Sequence, residues 1–101
     1  SDHLQLMTRL NDNSFSVRIA AAQALLNLGD LNASLPTLRQ GLDHADHWIR
    51  LMAVTVFDEQ PKLSNGLIKA LRPLREDDSK YVARVVNRTL NRIEGTAVSV
   101  R

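Results

Sequence analysis

The sequence predicts an all-α fold, an α/α superhelix (solenoid) of three antiparallel helical hairpins. Leu and Ala supply 26 of the 101 residues against four Gly and three Pro, and no stretch shows the period-two alternation of a half-buried strand. Turn and cap residues cluster at Asn11-Asp12-Asn13-Ser14, Gly29-Asp30, Asp43-His44-Ala45-Asp46, Gln60-Pro61 and Glu76-Asp77-Asp78-Ser79, delimiting six segments of helical length. The segments also repeat in pairs: Ser14, Asp46 and Ser79 stand 32 and 33 residues apart, and apolar positions follow them in register.

The first segment, ahead of Asn11, carries Leu6 and Leu10 on one helical face. The second opens after Ser14, whose hydroxyl is expected to accept a first-turn amide, a cap worth about 1 kcal/mol. Ile19, Ala20, Ala21, Ala22, Ala24, Leu25, Leu26 and Leu28 leave little of its surface polar. A partner, such as a missing N-terminal domain, is therefore expected against that end; the alternative is Ala acting only as a good helix former on an exposed face. The third segment places Leu38 and Leu42 where the first has Leu6 and Leu10, with Pro36 expected in its first turn, where an absent amide breaks no bond.

The fourth segment follows a second N-cap, Asp46. Trp48, Ile49, Leu51, Met52, Ala53, Val54, Val56 and Phe57 cover most of its circumference, as suits a helix between neighbours, with Trp48 and Phe57 buried. The fifth repeats the third through Leu63, Leu67, Ala70 and Leu74. The sixth, after the third N-cap Ser79, splits into an apolar stripe of Val82, Val85, Val86, Leu90 and Ile93 and a polar face with Lys80, Arg84, Arg88 and Arg92, which reads as an end cap. Across repeats, Val17, Ile49 and Val82, then Ala21, Ala53 and Val86, then Leu25, Phe57 and Leu90 correspond. The expected organisation is one domain over 1–94, with repeats at about 3–29, 31–60 and 61–94, and a tail over 95–101.

One hairpin cannot cover its own apolar face, so such units stack, and three are about the minimum for stability. A chain of this size buries roughly 65% of its unfolded surface, enough for one core without staples. It has no cysteine, which excludes disulfides and cysteine-based zinc sites. Thirteen basic residues face eleven acidic ones, and ten of the thirteen are Arg, the residue suited to ion pairs. This is not a polybasic nucleic-acid arm. No apolar run approaches the ~18 residues of a membrane helix, and the opening Ser1-Asp2-His3 is neither an initiator nor a signal peptide, so a piece of a longer protein is expected.

The run Ser14 to Gly29, with Val17-Arg18-Ile19-Ala20-Ala21-Ala22 inside it, resembles the second helix of the short HEAT-like repeats also found in phycocyanobilin lyase subunits; Ser34-Leu35-Pro36-Thr37-Leu38 resembles the start of their first helix. The Trp/Gly/Tyr and Thr-Pro-Leu-His patterns of tetratricopeptide and ankyrin repeats are missing. More narrowly, Val17 to Ala22, then His47-Trp48-Ile49-Arg50-Leu51-Met52-Ala53 with Asp58, then Tyr81-Val82-Ala83-Arg84-Val85 resemble the HEAT-like extension that follows the catalytic domain of some bacterial sulfatases. That resemblance implies a non-catalytic accessory domain of a periplasmic or secreted protein, packing on its catalytic domain or mediating assembly. The Cys/Ser-x-Pro/Ala-x-Arg motif from which sulfatases make formylglycine does not occur in the chain.

Candidate sites follow. Arg18 and Arg50 hold equivalent first-turn positions and are expected to form a structural ion-pair ladder with Asp12, Asp46 or Asp78, interrupted by Ala83 in the third repeat. Lys80, Arg84, Arg88 and Arg92 recur every fourth residue and form one basic stripe. Its expected role is a solvated end face; the alternative is contact with an anionic polymer such as a sulfated glycan, nucleic acid being disfavoured because few aromatics could stack on bases. Asp43-His44-Ala45-Asp46-His47 invites a metal reading, but it spans a turn and lacks His-x-x-x-His spacing, so it is read as structural. No catalytic, cofactor or metal residue is assigned, since no nucleophile, base and anion hole converge. The expected partner is protein: the chain's own missing N-terminal domain or another polypeptide.

Overall fold

The computed structural model describes residues 3–60 and 67–99, with side chains to Gly95. Among them are α1 (His3–Arg9), α2 (Phe15–Asn27), α3 (Leu31–Leu42), α4 (His47–Glu59), α5 (Ile68–Leu71), a 3-10 turn (Arg72–Glu76) and α6 (Lys80–Ser99). No strand occurs among the described residues. Two compact units divide the chain at Ala53 and Val54, inside α4. Pro61, Leu63 and the expected boundary at 60–61 lie outside the described residues or at their edge.

In the first unit, Leu6, Ile19, Ala21, Ala22, Leu25, Leu38, Leu42 and Ala53 form the core. Each Leu or Ile sealed there contributes roughly 1.5–3 kcal/mol. Gly41 sets the packing distance: a Cβ at that position would lie 2.9 Å from Ala53 Cβ and 3.2 Å from Ile19 Cδ1, and a further 3.6 Å contact would meet Phe15 Cε1. α2 ends in a Schellman motif. Gly29 adopts φ 89°, its amide donates to Leu26 O and the Asp30 amide donates to Leu25 O, satisfying carbonyls that the helix end leaves free. Asp30 then caps α3 by accepting from the Ala33 amide at 3.1 Å.

In the second unit, Val54, Val56, Phe57, Leu67, Leu71, Val82, Val86 and Leu90 are buried. The stripe of α6 is thus formed largely as the spacing implies, with Val85 and Ile93 half-buried at its margins.

Several expectations need correction. Leu71, not Ala70, occupies the sealed position of the fifth segment, one residue later than a spacing of 32 implies. Where one long helix was expected, α5 has four residues and gives way to the 3-10 turn, because Pro73 has no amide to continue the α-helical ladder. Pro36 lies in the second turn of α3, not the first; its missing amide leaves the Asn32 carbonyl without its usual helical donor, at an exposed residue where solvent can reach it. Trp48 is 53% exposed, whereas Phe57 is sealed. α6 continues past Gly95 to Ser99, so the expected tail is helical there.

The caps also differ from expectation. Asp46 accepts the Trp48 amide at 2.9 Å and Ser79 accepts the Val82 amide at a long 3.4 Å. Ser14 makes no side-chain cap bond; its hydroxyl pairs with that of Ser16. The device common to all three helix starts lies two residues earlier. Asp12 Oδ1, His44 Nδ1 and Asp77 Oδ2 accept the amides of Ser14, Asp46 and Ser79 at 2.8, 3.0 and 2.9 Å, fixing each entry turn.

Candidate functional site

The expected arginine ladder divides into two different arrangements. Arg50 Nη1 donates to the carbonyls of His44 and Ala45, at 2.8 and 2.9 Å, and so closes the turn that leads into its own helix. Arg18 makes no ion pair among the described residues, which corrects its expected pairing with a carboxylate. Its guanidinium lies over the Phe15 ring, 4.4 Å from the centroid, and its Nε is buried without a hydrogen-bond partner. Of the acids expected as partners, Asp12 accepts the Ser14 amide and Asp46 that of Trp48.

The basic stripe is half committed. Arg88 and Arg92 reach Asp58 Oδ2 and Oδ1 at 2.9 and 3.0 Å, and Arg92 also donates to the Asp58 carbonyl at 2.7 Å. Thr89, buried between them in sequence, donates to Asp58 Oδ1 at 2.6 Å. Burial of Asp58 opposes ionisation, but the hydrogen bonds from Thr89 and Arg88 and the charges of Arg88 and Arg92 outweigh it, so its pKa lies below the ordinary carboxylate value. Lys80 Nζ lies 5.4 Å from the Tyr81 ring centroid, and Arg84 is exposed. On another side of α6, Arg75 donates to Asn87, Asn91 and Glu94, while Asn87 donates back to the Arg75 carbonyl, tying the 3-10 turn to the helix.

The His/Asp-rich turn has structural duties. A backbone amide can only donate, so His44 Nδ1 carries no proton where it accepts from Asp46; the His44 ring meets Phe15 edge-on at 4.9 Å. His47 leans on Trp48 with ring centroids 4.5 Å apart. At the other end of the first unit, His3 Nε2 meets Asp30 Oδ2 at 2.6 Å. The His3 hydrogen bond, followed by the Ala33 amide, holds Asp30 below the usual carboxylate range.

The exposed apolar side chains are unevenly distributed. Leu4, Met7, Val17, Leu28, Leu31 and Trp48 are exposed in the first unit; among the described residues of the second, Tyr81 stands alone in that class. No helix among the described residues is long and apolar enough to cross a membrane.

The chain matches the family of HEAT repeats over residues 4–91. It belongs to the HEAT-repeat family. Comparison with curated proteins and with solved structures returned no match. The HEAT match agrees with the all-α repeat architecture, a scaffold that is generally non-catalytic.

Within this HEAT-repeat domain, the polar residues that hold the structure were only partly visible as pattern. Asp12, His44 and Asp77 share the repeat spacing and could have been found from it. Asp58 and Thr89 lie 31 residues apart and become partners only through folding.

Proposed function

We propose that this HEAT-repeat domain is a non-catalytic protein-docking module. The supporting observation is that six large apolar side chains are exposed among the described residues of the first unit, with Leu4 at 76% and Leu28 at 60% exposure. Exposed apolar surface that a domain does not bury itself is what a protein partner can cover. The finer reading, supported by the Val17–Ala22, His47–Ala53 and Tyr81–Val85 successions, is a C-terminal accessory domain of a bacterial sulfatase that packs on the catalytic domain. A Cys/Ser-x-Pro/Ala-x-Arg motif encoded upstream of Ser1 supports this finer reading, and an upstream sequence without it overturns it.

An anionic polymer fits less well, since Arg88 and Arg92 are drawn onto Asp58. The docking reading is tested by photo-crosslinking in an extract of the source cells, with the photoreactive group at position 7 or at position 84. It predicts a discrete protein adduct from position 7 and none from position 84. Adducts from position 84 alone, or from neither, contradict it.

A further inference from the structure

We infer that the side of α2 bearing Val17, Ala20 and Ala24 is a stacking surface, covered by a further helical hairpin of the same polypeptide ahead of α1; this names one occupant for the docking reading above and rests on it. The repeat itself defines the surface. Each residue of α2 has a counterpart 65 positions on in α6, because Ser14 and Ser79 hold equivalent places. Val17, Ala20 and Ala24 thereby correspond to Val82, Val85 and Thr89, whose spacings of three and four place them on one side of a helix.

In the second unit that side is covered. Thr89 donates to Asp58 of α4, and the flanking Arg88 and Arg92 reach the same carboxylate, so the side lies against the second helix of the preceding hairpin. Val82 and Thr89 are sealed, at 0% and 1% exposure. In the first unit the same positions are open: Val17 is 37% exposed, Ala20 is exposed and Ala24 is half-buried. Another side of the two helices shows the reverse. Phe15 and Ile19 of α2 pack beside Gly41 of α3, whereas their counterparts Lys80 and Arg84 are exposed. A terminal repeat keeps a polar outer face. α6 has one in these cations, but the uncovered side of α2 carries no charge, since Arg18, the single charged residue from Phe15 to Asn27, lies on the Phe15 ring.

The register also fixes the chemistry of the occupant. The counterparts of Arg88 and Arg92 in α2 are Gln23 and Asn27. With no guanidinium to compensate it, a carboxylate placed as Asp58 is placed on α6 would lose its hydration without gaining an ion pair. The occupant is therefore a helix with an uncharged residue at that place, packed through apolar side chains, and Ala20 and Ala24 permit its close approach. A second copy stacked head to tail does not supply this, because α6 would present Lys80 and Arg84 to an apolar surface.

The test is maleimide labelling of Ala20→Cys, read by mass spectrometry of the peptide that holds position 20, in the full-length protein encoded by the gene and in the 101-residue chain, with Arg84→Cys as reference. Position 20 should react at least about tenfold more slowly in the full-length protein, since a covered site reacts only from locally opened molecules, while position 84 reacts alike in both. Hydroxyl-radical footprinting of Val17 in the unaltered chains reads the same coverage should the variant fold poorly. Equal reactivity of position 20 in the two chains, or a full-length protein with no helical hairpin encoded ahead of α1, overturns the inference. So does protection that grows with the concentration of the 101-residue chain, which marks a second copy. The crosslinking from position 7 decides the broader docking reading separately: an adduct there with no protection at position 20 removes this occupant alone.

Discussion

Gly41 and Gly95 both lie inside helices, yet alanine should affect them in opposite directions. Alanine relieves a helix of roughly 1 kcal/mol of glycine's cost. At Gly41 the new methyl would stand 2.9 Å from Ala53 Cβ, an atom fixed to the backbone that cannot swing aside, and overpacking of this kind costs about 1–3 kcal/mol. Gly41→Ala is therefore expected to lower stability by up to about 2 kcal/mol, the overpacking cost less the propensity gain. Gly95 has nothing within 4 Å of a built Cβ, so Gly95→Ala should be neutral or stabilising by up to about 1 kcal/mol. Urea unfolding of both variants checks the pair; stabilisation by Gly41→Ala would contradict the close approach at that residue. The sequence alone put Gly41 in a helix and Gly95 at the start of a tail, and it could not rank their tolerance of alanine, because that depends on what faces each across space.

The joint between α4 and α6 supplies an element-scale prediction. Asp58 gathers Arg88, Thr89 and Arg92 from three positions of α6. Its folded pKa lies below the unfolded value of about 3.9, so the native state binds fewer protons than the unfolded state in that range. The stabilisation is complete above the unfolded pKa and is lost as pH falls through the folded pKa. Asp58→Asn should cost about 2 kcal/mol at neutral pH, as expected for charged hydrogen bonds to a mostly buried carboxylate, and should flatten the acid limb of the stability curve. Urea midpoints measured from pH 7 down to pH 2.5 check this; an unchanged acid limb in the variant assigns the acid sensitivity elsewhere. The periodicity of α6 made its buried stripe legible, and the same spacing made Lys80, Arg84, Arg88 and Arg92 look equivalent. They differ because Asp58 attracts two of them, a long-range contact that helical period cannot encode. Pro73 illustrates the reverse case: its effect is local, and the shortened α5 with its 3-10 continuation follows from the missing amide.

At the scale of the whole molecule, repeat spacing made the HEAT architecture readable because each hairpin solves the same burial problem with similar residues. Surface assignment was less readable. The apolar content of α4 suggested that Trp48 was buried, yet it is exposed, while the apolar richness noted at the start of the chain corresponds to both core residues such as Ile19 and exposed ones such as Val17. Composition reports how much apolar surface exists, and packing decides which part is left for a partner. On the proposed docking reading, the exposed apolar side chains contribute little to folding and are held for a partner. The most direct test is partner crosslinking from position 31 in a Leu4→Ser/Met7→Ser/Val17→Thr variant of the full chain, compared with the unaltered chain after urea unfolding has matched their stabilities to within about 0.5 kcal/mol per exposed site. Loss of at least about tenfold in adduct yield, equivalent to about 1.4 kcal/mol, is the predicted result; undiminished crosslinking would contradict the account.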